Sequence, residues 1–142
     1  MSVFVVDASL VIKWFVPEMH SDAARRWLDA SHDYVAPDLL FSEVGNVVWK
    51  KVRRTELEET EGQRLVRDLV HVAVETVATR SLLGDAVVLA LTAGITVYDA
   101  MYLALAVRLE TAVITGDDRF ADKVEKHGVL ARHVRRLRHF TE

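Results

Sequence analysis

Apolar residues along this chain fall into short β-branched runs separated by longer stretches with helical spacing, a pattern of alternating strands and helices. Val3 to Val6 reads as a buried strand ending at Asp7. Ser9 to Phe15 reads as a short helix stopped by Pro17, and Ser21 to Ala30 as a second helix capped by Ser21 or Asp22. The apolar stripe of the second helix is Ala23, Ala24, Trp27 and Leu28. Tyr34 to Ala36 is a second strand, and Pro37 and Asp38 start a helix to about Arg53. A helix over Leu57 to His71 precedes a third strand, Val72 to Val77. Arg80 to Ala93 reads as an apolar helix closed by Gly94, and Ile95 to Val97 leads into another from about Tyr98 to Glu110. Ala112 to Thr115 is a fourth strand, left by a turn at Gly116 and Asp117. A short helix from Arg119 to His127 ends at Gly128, and Val129 to Val134 is a fifth strand.

Strands that alternate with helices predict crossover connections and a parallel sheet. The expected fold class is therefore α/β, a three-layer α/β/α sandwich around a central parallel sheet of four or five strands. At 142 residues one domain over 1–142 is expected, large enough for a two-sided core.

Composition narrows the chemistry. The chain has no cysteine, which removes disulfides, thiolate zinc sites and cysteine nucleophiles and leaves oxygen and imidazole as metal donors. The opening MSVFVVDAS lacks the basic start of a signal peptide, and the longest apolar stretch, Ala86 to Val97, is too short to span a bilayer. A cytoplasmic protein without membrane contact is expected. The formal charge of -3 does not mark a nucleic-acid binder, yet Arg132 to His139 (RHVRRLRH) is strongly basic, and Lys50, Lys51, Arg53 and Arg54 form a second cluster. Such runs are as readily solvated element ends as binding patches.

Four carboxylates carry the candidate chemistry. In open parallel sheets the functional crevice lies beyond the carboxyl ends of the strands, where Asp7 and Asp117 fall. Glu43 lies on the core-facing stripe of its helix, in line with Leu39 and Val47 and close to Leu40, where an unpaired carboxylate is costly and a partner is expected. Asn46, three residues on, could orient it. Asp99 opens a helix with Tyr102 and Leu103 as neighbours one turn on, and so points inward. Taken singly, Asp7 and Asp99 are ordinary caps and Asp117 an ordinary turn residue. Taken together they would repel one another unless a cation intervened, and an all-oxygen donor set selects a hard ion, Mg²⁺ or Mn²⁺. Ser9 and Thr115 stand beside the acidic positions, placed to hydrogen-bond a carboxylate. The histidines at 20, 32, 71, 127, 133 and 139 read as surface residues. Trp14, Phe15, Phe41, Val44, Trp49, Tyr102 and Leu105 read as core or dimer surface.

The segments VVDASLVIKWFVPE (from Val5), APDLLFSEVGNVVWK (from Ala36), VYDAMYLALA (from Val97) and VITGDDRF (from Val113) resemble, in order, the acidic motifs of PIN domains, and together a VapC-type toxin. The resemblance spans nearly the whole chain and needs all four motifs in order. It implies a ribonuclease that uses Mg²⁺ or Mn²⁺, with Asp7, Glu43, Asp99 and Asp117 in the catalytic, metal-binding positions and Ser9 and Thr115 in support. It also implies an RNA substrate, a homodimer and a VapB-like antitoxin partner. Asp118, directly after Asp117, stands where many relatives carry a basic or polar residue, so both aspartates are candidates. The first helix face to examine for a dimer is that of Leu57 to His71. Two other readings compete: a PIN-like interaction module without activity, and a phosphoacceptor or phosphatase domain with Asp7 as nucleophile. The second commonly wants another acid two residues on, where this chain has Ser9.

Overall fold

The computed structural model describes residues 2–17 and 21–139. Five strands, β1 (Ser2–Val6), β2 (His32–Pro37), β3 (Glu75–Val77), β4 (Val113–Thr115) and β5 (Val134–Arg136), form one sheet in the order β3-β2-β1-β4-β5, parallel throughout. Between them run α1 (Ala8–Phe15), α2 (Ser21–Asp29), α3 (Leu39–Arg53), α4 (Glu59–Leu69), α5 (Thr79–Ala93), α6 (Val97–Arg108) and α7 (Asp118–Glu125). This is the α/β/α sandwich expected from the alternating pattern. Its core joins the central strands to the helices: Val5, Val6 and Ile114 from the sheet, and Leu10, Trp27, Leu40, Leu82 and Leu103 from helices, are fully buried.

β1 lies in the middle, so the chain first builds outward through β2 and β3 and then crosses to β4 and β5 on the other side. The gap between β1 and β4 is therefore the topological switch point, where the connections leaving two neighbouring strands diverge and open a crevice. The register Val6↔Ile114 brings Asp7 and Thr115, the next residue of each strand, side by side at its mouth.

Several boundaries differ from the expected ones for identifiable reasons. α2 already includes Ser21 and Asp22, so neither caps it, and the Ser21 hydroxyl instead donates to the Val16 carbonyl at 3.2 Å. Leu28, expected in the buried stripe, is exposed. β5 occupies Val134–Arg136 rather than Val129 to Val134, because Ala131–His133 is wound into a 3-10 turn and Val129 is solvent-exposed. His133 is not a surface residue. Its ring is buried and its Nδ1–H donates to the Thr111 carbonyl at 2.8 Å. His20 lies outside the described residues. Gly94 closes α5 with φ +67°, the left-handed conformation that a residue without Cβ adopts freely.

α5 is apolar on both sides. Leu82, Ala86 and Ala93 face the core, whereas Leu83, Val87, Val88 and Leu91 are exposed. On α4, the helix first expected to carry such a face, Val66 is exposed, followed by Val70 at the helix end. Trp49 on α3 is also exposed, with the Arg53 guanidinium 5.2 Å from its ring centre. Among the described residues no single helix is long and apolar enough to cross a membrane.

The α3–α4 hairpin depends on a close approach at Gly62, where an added Cβ would stand 2.7 Å from Val52 Cγ2 and 3.3 Å from Val48 Cγ1. Gly62→Ala would gain about 1 kcal/mol of helix propensity, but overpacking costs about 1–3 kcal/mol. The expected net result in urea unfolding is destabilisation, relieved in the Val52→Ala/Gly62→Ala double variant. Stabilisation by Gly62→Ala alone would contradict this packing.

Candidate active site

The site grows from the two turns at the switch point. Asp7 ends β1 in extended backbone and caps α1, its Oδ1 accepting from the Leu10 amide at 3.1 Å. The Ser9 hydroxyl donates to the same oxygen at 2.5 Å, and the Thr115 hydroxyl donates to Oδ2. Both hydroxyls in turn accept backbone N–H groups from the turn after β4: Gly116 donates to Ser9 Oγ at 2.8 Å and Asp117 to Thr115 Oγ1 at 3.0 Å. Two relays thus run from the β4–α7 turn through a hydroxyl to each oxygen of Asp7. Gly116 suits this turn, since a Cβ there would meet Lys13 Cε at 3.2 Å and Ser9 Oγ at 3.3 Å.

Asp117 caps α7 as Asp7 caps α1, its Oδ1 accepting from the Phe120 amide at 3.1 Å. For these two residues the ordinary capping role and the crevice position coincide. Asp99 is not a cap. Thr96 caps α6, its hydroxyl accepting from the Asp99 amide at 3.1 Å, so the Asp99 side chain has no capping task. On α3 Glu43 is half-buried, and Oε1 accepts from the buried Tyr102 hydroxyl at 2.6 Å. Asn46, the expected partner, is exposed instead. Tyr102, expected in the core or at a dimer surface, is buried in the core and supplies this hydroxyl.

The carboxylates act on one another. Burial pushes Asp7 up to about 6, hydrogen bonds from Ser9, Thr115 and Leu10 oppose this, and the charge of Asp117 adds to it. Burial likewise pushes Asp99 up to about 6, helped by the charges of Asp117 and Glu43, with Lys123 offsetting a small part. Burial and Glu43 drive the Tyr102 hydroxyl far upward, so it remains a neutral donor. Asp117 is the charge that both Asp7 and Asp99 sense, which links the four acids into one electrostatic group.

Asp118 has partners of its own. It is bonded to Arg136 Nη1 at 2.7 Å and Arg138 Nη1 at 2.9 Å, and Arg136 holds its carboxyl below the usual range. The basic tail is therefore not simply solvated: the Arg136 side chain is 10% exposed and gripped by Asp118, Asp122 and Glu125.

A group of oxygen donors whose mutual repulsion raises their proton affinity is chemically suited to a hard divalent cation. Among the described residues no three Asp, Glu or His side chains are close enough to form a ready-made cage. Mg²⁺, which commonly binds through one or two carboxylates and keeps several waters, does not require such a cage.

Folded-state values near 6 against 3.8 imply that these groups favour the folded protein below about pH 4 and lose that contribution as pH rises through about 6. In EDTA, Asp7→Asn should therefore match the wild type near pH 4 and be about 3 kcal/mol more stable near pH 7. Parallel stability profiles for the two proteins would show that Asp7 carries no such strain.

The PIN domain family model matches residues 4–126. The chain is 37% identical to Ribonuclease VapC3 of Pyrobaculum aerophilum over 121 residues, 84% of this chain and 92% of that protein. Among solved structures it resembles PAE2754 from Pyrobaculum aerophilum, with a TM-score of 0.68, 21% identity, and coverage of 97% of this chain and 93% of that one. It also resembles VapBC2 from Rickettsia felis, solved bound to a promoter DNA fragment, with a TM-score of 0.61, 10% identity, and coverage of 94% and 98%.

Proposed function

The chain belongs to the PIN-domain family, and from that premise we propose that it is an Mg²⁺- or Mn²⁺-dependent endoribonuclease, the toxin component of a type II toxin–antitoxin pair. The observation that carries this reading is the meeting of Asp7 and the Asp117 turn at the β1–β4 switch point, with Asp99 and Glu43 near enough for their charges to act on the same group. Support comes from the similarity to a protein named as a VapC ribonuclease. In this reading the four carboxylates hold the divalent ion directly or through its waters. Bound there, the ion supplies Lewis-acid charge at the scissile phosphodiester and makes water a better nucleophile.

The remaining polar residues hold these ligands in place. Ser9 and Thr115 each occupy one oxygen of Asp7 with a donated hydrogen bond, which fixes the carboxylate plane and ties it to the turn bearing Asp117. Tyr102 does the same for one oxygen of Glu43. Hydroxyl donors suit this task because they orient an anion without adding a fixed positive charge that would compete with the cation.

Partners follow from the same reading. A VapB-like antitoxin is proposed from the toxin resemblance, and a homodimer from the outer face of α5, since a helix that is apolar all round is normally covered on both sides. Leu91, 81% exposed, is its most prominent residue.

The direct test incubates the purified protein with structured RNAs and Mg²⁺ or Mn²⁺. Cleavage is expected, with loss in EDTA and a fall of at least about 100-fold in Asp99→Asn, or about 3 kcal/mol in the barrier. A wild-type protein that binds the metal yet leaves every RNA intact would favour the inactive interaction module. For the dimer, light scattering after size exclusion should give twice the chain mass for the wild type and a monomer for Leu91→Glu. A monomeric wild type would remove the dimer.

A further inference from the structure

Tandem aspartates leave α7 with a choice of which carboxylate faces the crevice, and the ion pairs behind the helix bear on that choice. Asp118, Asp122 and Glu125 are spaced i, i+4 and i+7, so they form one stripe along α7. Unneutralised, three carboxylates in a row would repel one another. Arg136, projecting from edge strand β5, engages all three: Nη1 to Asp118 at 2.7 Å, Nη2 to Asp122 at 2.5 Å, and Nε and Nη2 to Glu125, each at 3.2 Å. Arg138 adds a second grip on Asp118 at 2.9 Å. Asp117 is the N-cap of this same helix, one residue before the stripe.

Building on the reading of Asp117 as a metal ligand, we propose that Arg136 is a positioning residue for Asp117, anchoring α7 on β5 so that Asp117, and not Asp118, presents its carboxylate to the crevice. α7 is held from two sides. At the front, the Asp117 amide is bonded to Thr115, which also binds Asp7; at the rear, one planar guanidinium spans two turns of helix. Asp118 is drawn toward the arginines and out of competition for the ion. A lysine at 136 would keep the charge but not the fork that reaches three carboxylates at once.

The test is Mn²⁺ binding to the full chain by calorimetry, without RNA, for wild type, Arg136→Met, Arg136→Lys, Asp117→Asn and the Arg136→Met/Asp117→Asn double variant. Arg136→Met should weaken Mn²⁺ about 10-fold or more, in the range for residues that orient metal ligands, with Arg136→Lys in between. In the Asp117→Asn background the additional effect of Arg136→Met should vanish. An equal loss in both backgrounds would make Arg136 a merely structural residue and overturn the proposal, as would wild-type affinity in Arg136→Met alongside weakened Asp117→Asn. Wild-type affinity in Asp117→Asn would instead overturn the metal-ligand reading, and the positioning role with it. If Arg136→Met does not fold, Asp122→Asn/Glu125→Gln loosens the same grip from the exposed side of α7 and is put through the same comparison.

Discussion

The site depends on one knot of hydrogen bonds, in which Ser9 and Thr115 hold the two oxygens of Asp7 and are themselves held by the amides of Gly116 and Asp117. The knot closes the switch point of the sheet, since it joins the turn leaving β1 to the turn leaving β4. It follows from the parallel register, because once Val6 pairs with Ile114 the next residues, Asp7 and Thr115, are side-chain neighbours. Topology brings the two turns together, and the hydroxyls convert that proximity into a defined carboxylate orientation.

Placing several acids in such a position is unfavourable for the fold taken alone, and helix N-termini offset part of this. Asp7 and Asp117 each sit at a helix N-terminus, accepting an amide of the first turn, where the helix dipole favours negative charge. Asp99 lies in the first turn of α6. Two of the four carboxylates thus accept a backbone amide, and Glu43 accepts a hydroxyl instead. The arginines that would neutralise acids outright are kept behind α7, paired with Asp118, Asp122 and Glu125. A guanidinium inside the crevice would occupy the place of a divalent ion.

Much of this was legible from residue pattern because strand ends and helix starts are local features. The β-branched runs of β1 and β4 located Asp7 and Asp117, and Gly94 marked the end of α5. Glu43 stood out because a carboxylate on an apolar stripe requires a partner. The identity of that partner was not legible: Tyr102 lies 59 residues away, and its hydroxyl is silent in any hydropathy pattern. The position of β5 is not legible in the same way: Val129 and Leu130 make an apolar run, but the strand forms where Val134 meets Val113. The basic tail fits neither reading offered for it. Charge runs are usually solvated, and only the acidic stripe at 118, 122 and 125 signalled that one of these arginines would be buried.

The contrast between Asp117 and Asp118 shows how little sequence separation decides chemical role. Both are exposed acids at the start of α7, yet one accepts a helix amide and its charge is sensed by Asp7 and Asp99, while the other is claimed by two arginines. In a helix, consecutive side chains point about 100° apart, so neighbours in sequence necessarily serve different surfaces. A carboxylate that is not bonded to a guanidinium keeps its charge available to a metal, whereas one already gripped by two arginines does not. The division of labour within this acidic pair is therefore made by the strand behind the helix, through residues that never reach the crevice themselves.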